Sequence, residues 1–342
     1  MEGKEKKGFS KSLLLIILGV VLVVAGILSI LFLGGKDKDK NKEEEEKPTV
    51  TEQSEKITPL MYEITKEGSE NKIYLFGSIH VGRVSQLDFP DYVKNAYDNS
   101  SYLAFEYDIL ASQSKPDSQE KTLAAMQYSD GTTIKDHIDE EFYNQLVEFF
   151  EEKKLGNFSQ YEKFNLFGLS QVLTSMIIPQ TGLSANDGVD LYFINKAKGD
   201  NKTILEVESD DFQMNLLSSF PDRLYEIQIK DTMENYDEGI DAIKELYEAW
   251  KQGDPEKIHE LDDTIPSEEE KGKYSESDLA IMADYRNKLL TQRNVGMADK
   301  FEEYFNNYYD TLFIVGAAHL VGDDGLAALL EARGYTVVQL NK

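Results

Sequence analysis

Apolar positions along this chain follow two periods. Short β-branched and aromatic runs at 61–65, 72–76, 101–107, 203–207, 311–315 and 335–340 predict strands. Gly68-Ser69-Glu70-Asn71 separates the first two runs and predicts a hairpin. Apolar residues at three- and four-residue spacing predict helices over 142–153, 164–178, 189–198, 223–251 and 277–307. Asp323-Asp324 precedes a last helix, Gly325 to Ala332, and Gly334 follows as its C-cap. Strands alternating with long helices imply an α/β domain, a mixed central sheet flanked by helices. The stretch 221–309 reads as mainly helical.

Upstream of these elements the pattern changes. Ser12 to Gly35 holds no charged residue and is mostly Leu, Ile and Val. As a helix it would span about 36 Å, against a hydrocarbon core of roughly 30 Å. No small-x-small cleavage site follows it. We therefore expect an uncleaved transmembrane signal anchor over 12–35, a cytoplasmic N-terminus over 1–11, and a charged flexible linker over 36–58 (KDKDKNKEEEEKP). The domain over 59–342 would then be extracytoplasmic, on a single-pass protein of the cell membrane. Lysines flank the span on both sides, so charge asymmetry adds little.

The 342-residue chain carries a net charge of −27. Residues 1–47 hold nine Lys against eight acids, so the rest carries −28. Such a surface argues against nucleic acid as a partner, because phosphates need Lys and Arg clusters. The chain has no Cys, which excludes disulfides, thiolate metal sites and a cysteine nucleophile. Its chemistry must come from histidine, carboxylate and arginine.

Two strand ends match. Ile73-Tyr-Leu-Phe-Gly77-Ser-Ile-His80-Val-Gly82 near the start of the domain resembles Leu312-Phe-Ile-Val-Gly316-Ala-Ala-His319-Leu-Val-Gly322 near its end. Each is an apolar strand, a Gly, two small or apolar residues and a His, which suggests two pseudo-repeated halves. In open α/β sheets ligands bind beyond the carboxyl ends of strands. Adjacent strands would bring His80 and His319 together, where imidazole can ligate a metal or move a proton. The other two histidines, His137 and His259, lack this context and read as surface or helix-end residues. Glu106 closes the run 102–105, and Glu206 and Glu208 close 203–207, on one face if the strand continues. A carboxylate at a buried strand end is costly unless paired or bound to a cation.

These motifs resemble the TraB/GumN family, which includes the TIKI proteases and the pheromone-shutdown proteins. Six boxes occur in the family's order. They are Met61 to Gly82, Leu103-Ala-Phe-Glu106, Gly188-Val-Asp190, Val207-Glu208-Ser209 with Gln213, Leu290-Thr-Gln-Arg293-Asn294, and Gly316 to Gly322 followed by Gly334-Tyr335. Ser78 stands where the family has Thr, and Tyr62 where Trp is common. The resemblance favours Glu208 over Glu206. It implies metal-dependent peptide hydrolysis. A divalent ion (Mn, Co, Zn or Fe) would be held by His80 and His319 with Glu106 or Glu208. One Glu would act as base, and Arg293 would stabilise the oxyanion or grip a substrate carboxylate. Gly77, Gly316, Asp190 and Asn294 would support the site. The alternative is a non-catalytic protein of the same fold that binds a peptide signal or haem.

Overall fold

Strands form at all six predicted runs in the computed structural model, which describes residues 54–342 apart from 263–265, 267 and 309. In chain order they are β2 (Met61–Thr65), β3 (Lys72–Ser78), β5 (Tyr102–Phe105), β6 (Thr203–Glu206), β7 (Asp310–Gly316) and β8 (Thr336–Gln339). Two further strands of two residues each, β1 (Glu55–Lys56) and β4 (Leu87–Asp88), pair in parallel as a separate ribbon. The six-stranded sheet runs β6-β5-β7-β3-β2-β8. It is mixed: β2 is antiparallel to both β3 and β8, and the β6-β5-β7-β3 pairs are parallel.

The central strands are buried on both faces. Ile73, Leu75 and Phe76 of β3 and Leu312 to Val315 of β7 are fully buried. This is the continuous apolar run that parallel strands need when helices cover both faces. Gly68, at φ +79°, turns the hairpin from β2 to β3.

The helical stretch departs from its prediction twice. The run 223–251 is two helices, Asp222–Glu234 and Tyr236–Gln252. Asn235 breaks it at φ −120° and ψ 36°, its amide donating back to Asp231 O at 3.2 Å. Asn competes for backbone groups in this way and weakens helix interiors. The run 277–307 is continuous but contains a π-turn, Asn287–Thr291, between Glu276–Arg286 and Gln292–Asn307. Helices also form at Asp91–Asn99, Ser118–Ala125 and Asp210–Ser218, outside the predicted runs.

The end of the expected linker is docked. Glu55 lies in β1, Ile57 is buried, and Thr58 N donates to Lys251 O at 2.8 Å. The anchor expected over 12–35, the N-terminus over 1–11 and the linker up to residue 53 lie outside the described residues. Among the described residues no helix is long and apolar enough to cross a membrane.

Candidate functional site

β3 and β7 are parallel neighbours, with Phe76 opposite Ile314 and Ser78 opposite Gly316. Both Gly-x-x-His motifs therefore leave the sheet at its carboxyl edge, side by side. Gly77 permits the close approach: a Cβ there would stand 3.0 Å from Ala317 Cβ and 3.1 Å from Ala317 Cα. Gly316 leaves a gap of a different kind. The point where its Cβ would stand lies 3.5 Å from Glu106 Oε1, 3.7 Å from His319 Cδ2 and 4.0 Å from His80 Nε2. Two imidazoles and one carboxylate border a space that only glycine keeps open.

A side chain holds each imidazole at Nδ1. Asp190 Oδ2 lies 2.9 Å from His80 Nδ1, and Asp190 Oδ1 accepts from Ser78 Oγ at 2.7 Å. Asn294 Oδ1 lies 2.6 Å from His319 Nδ1, and Asn294 Nδ2 donates to Asp324 O at 2.8 Å. An acceptor at Nδ1 favours the proton there, which leaves the Nε2 lone pair for other work. His319 Nε2 faces Glu106 Oε1 at 3.9 Å.

The carboxylates converge on Arg293. Its Nη2 donates to Glu106 Oε2 at 2.6 Å and to Glu208 Oε2 at 2.9 Å, and its Nε donates to Glu208 Oε1 at 3.0 Å. Gln213 Nε2 donates to both acids at 2.8 Å, and Gly316 N donates to Glu106 Oε1 at 2.9 Å. Arg293 and Asn294 follow the π-turn with only Gln292 between, and such a distortion is often found at functional sites. Glu206 lies away from this cluster. The strand ends at Glu206, whose Oε1 accepts from Asp108 N at 2.8 Å, so Glu206 and Glu208 are not a same-face pair of one strand.

The two histidines differ electrostatically. Burial disfavours the His319 imidazolium and Arg293 repels it, so its pKa falls to about 3. Burial also pulls His80 down, but the charge and hydrogen bond of Asp190 outweigh it, and His80 is raised. Burial opposes ionisation of Glu106, yet Arg293 and the two imidazoles hold it well below the usual carboxylate range.

His137 and His259 stand elsewhere. His137 is exposed and stacks on Tyr128 at 3.7 Å between ring centroids. His259 lies in the helix Pro255–Asp262, against Gly322 of the His319 loop. That helix also brings in a residue the motifs do not include. Asp262 is buried and lines the same small cavity, about 20 Å³, as His80, Arg293 and His319. One acid in a charged helix reads as solvent-facing. The available signal was its i, i+4 spacing from the buried Ile258.

His80 Nε2, the His319 ring and a Glu106 oxygen border one gap, and imidazole with carboxylate is the donor chemistry that a borderline divalent ion such as Mn, Co, Zn or Fe takes. Orientation of each imidazole through its other nitrogen is usual for metal-ligating histidines. Among the described residues, no three His, Asp or Glu side chains already stand together as a metal-holding group.

The model of the TraB/PrgY/gumN family matches residues 60–339. The chain is 24% identical over 269 residues to "Uncharacterized protein YbaP" of Escherichia coli (strain K12), covering 79% of this chain and 91% of that protein. The same figures hold for "Uncharacterized protein YbaP" of Shigella flexneri. No solved structure matches the chain. With the family match spanning the whole α/β domain and both Gly-x-x-His strand ends, the chain belongs to the TraB/PrgY/gumN family.

Proposed function

We propose that the protein is a membrane-anchored, extracytoplasmic, metal-dependent hydrolase that cleaves peptides. The observation that carries this reading is the gap at Gly316, bordered by His80 Nε2, the His319 ring and Glu106 Oε1. The apolar run 12–35 supports the anchored, single-pass topology.

His80, His319 and Glu106 would hold the divalent ion, which would supply Lewis acidity to a substrate carbonyl and to water. Asp190 and Asn294 hold the two imidazoles at Nδ1, so that Nε2 is the ring nitrogen left to meet an ion. Glu106 is ionised throughout the neutral range, the state that a ligand or a proton acceptor needs. Glu208 is turned to Arg293 and Gln213, so its part is to fix them and, through them, Glu106. Arg293 spends Nε and Nη2 on the two acids. Its Nη1 carries only a weaker bond, 3.3 Å to Leu289 O, and would be the donor left for an oxyanion.

The test uses the full-length protein, stripped by chelation and incubated with a peptide mixture and Mn, Co, Zn or Fe. Mass spectrometry reads the products. The expected result is cleavage that one of these ions restores, lost in His80→Ala and His319→Ala with the fold retained. Activity surviving in both variants would reject the reading. Tight peptide binding without products would favour sequestration, and a Soret band on haem addition would favour haem binding.

A further inference from the structure

A second and larger cavity, about 340 Å³, is lined by Arg83, three residues beyond His80, and the hydrolytic reading does not use it. Its lining is unusual for a domain so acidic: Arg83, Lys244 and Lys251 with Tyr247, against the acids Glu55 and Glu248. The two acids are already occupied. Lys251, only 8% exposed, holds Glu55 at 2.6 Å and Glu248 at 2.8 Å. Among the described residues, Lys244 bonds the exposed Asp241 alone, at 3.1 Å.

Arg83 is the distinctive group. It makes no ion pair among the described residues, yet its guanidinium is built into place. Nε donates to Gly182 O at 2.5 Å. Gly182 sits at φ +77°, and a Cβ there would stand 2.3 Å from Arg83 Nη2. Glycine at 182 therefore both makes the left-handed turn and lets the guanidinium approach it closely. The Arg83 backbone is fixed as well, since its N donates to Tyr247 Oη at 3.1 Å. Tyr247 accepts in that bond, so its own hydroxyl proton remains available to another acceptor. A planar guanidinium held at Nε, a phenol donor and a neighbouring ammonium form the donor set that oxyanions take.

We propose that this cavity is an oxyanion-binding site, for a carboxylate or phosphate group, with Arg83 as its principal ligand and Tyr247 and Lys244 as further donors. The proposal is independent of the hydrolytic reading, because binding is measured without turnover.

The chain supplies its own reporter. Trp250 is the single tryptophan, and its ring stacks on Tyr247 at 5.8 Å and 17°. The full-length protein is titrated with inorganic phosphate and with N-acetyl-trialanine, as free acid and as amide. Trp250 emission and calorimetric heat are followed. The expected result is a saturable response to an oxyanion and none to the amide. Response to the peptide acid identifies a peptide carboxylate as the source, and response to phosphate alone identifies a phosphorylated ligand. Arg83→Ala should weaken binding about tenfold or more, the loss of one charge-assisted contact. Gly182→Ala keeps every charge but displaces the guanidinium, and should weaken it too. Lys244→Ala, an exposed change, should cost a few-fold. Far-UV circular dichroism checks that each variant folds, and if Arg83→Ala does not, the other two decide. Neither anion giving signal or heat would overturn the proposal. So would full affinity in the folded variants.

Discussion

Arg293 donates from Nη2 to Glu106 Oε2 at 2.6 Å, and both side chains are buried. Residues 187 apart in sequence thus form the electrostatic centre of the site. Arg293 also neutralises Glu208, so its removal leaves the buried Glu106 and the partly buried Glu208 without their shared cation. Breaking a buried pair costs about 3–5 kcal/mol, because the remaining charge has no compensation. Arg293→Met should therefore lower the urea midpoint strongly, and Glu208→Gln in the same chain should recover part of the loss. A double variant no more stable than the single one would contradict this account.

The amide of Asn294 orients His319 without adding charge, which sets this histidine apart from His80 with its Asp190. Asn294→Leu should free the His319 ring, and the proton would no longer be confined to Nδ1. Loss of such an orienting partner typically costs 10–100-fold in metal affinity. Calorimetric titration of the folded variant with Mn or Zn should show a loss of about that size. Unchanged affinity would mean that His319 is not a ligand.

The sequence carried much of this geometry. Apolar runs placed all six strands, and the repeated Gly-x-x-His placed both histidines, because strand period and glycine turns are local properties. Long-range partners were harder to read. Strand period alone put Glu206 and Glu208 on one face; the family resemblance favoured Glu208, and the end of β6 at Glu206 separates the two. Asp262 was hard to read because an acid in a charged helix signals a solvated face, although it is buried and lines the cavity with residues distant in sequence. The π-turn before Arg293 has no periodic signature: five residues can widen a turn without disturbing the apolar stripe much.

Stability should depend on acid through Asp278. Its carboxylate accepts from Arg223 Nε at 2.8 Å and Nη2 at 2.9 Å, tying the helix Glu276–Arg286 to Asp222–Glu234. The hydrogen bonds from Arg223, helped by Ser275, hold Asp278 well below the usual carboxylate range. A depressed acid contributes stability above its unfolded value, about 3.9, and loses it as pH falls through the folded value. Arg223 is partly exposed, so solvent limits the pair to about 1 kcal/mol. Asp278→Asn should be less stable at neutral pH, and its urea-midpoint gap from the parent should narrow below about pH 4. A gap that stays constant across that range would show that the charge of Asp278 does not matter.

Two glycines of the site should differ in what alanine does to stability. Gly316 has φ −50° and ψ 136°, which alanine adopts freely, and its Cβ would meet Glu106, His319 and His80 at 3.5–4.0 Å, ordinary contact distances. Gly316→Ala should fold with stability within about 1 kcal/mol of the parent. It nonetheless fills the gap between the two imidazoles and the carboxylate, and should abolish metal binding and peptide cleavage together. Gly188 is different. A Cβ there would lie 2.2 Å from His80 O and 2.7 Å from His80 C, backbone atoms that cannot rotate away. Gly188→Ala must push the helix Val189–Gly199 off the His80 loop, and with it Asp190, whose carboxylate holds His80 Nδ1. It should lose both stability and function. Thermal melts with calorimetric metal titration distinguish the two variants. If Gly316→Ala kept full metal affinity, the gap at Gly316 would not be where the ion sits.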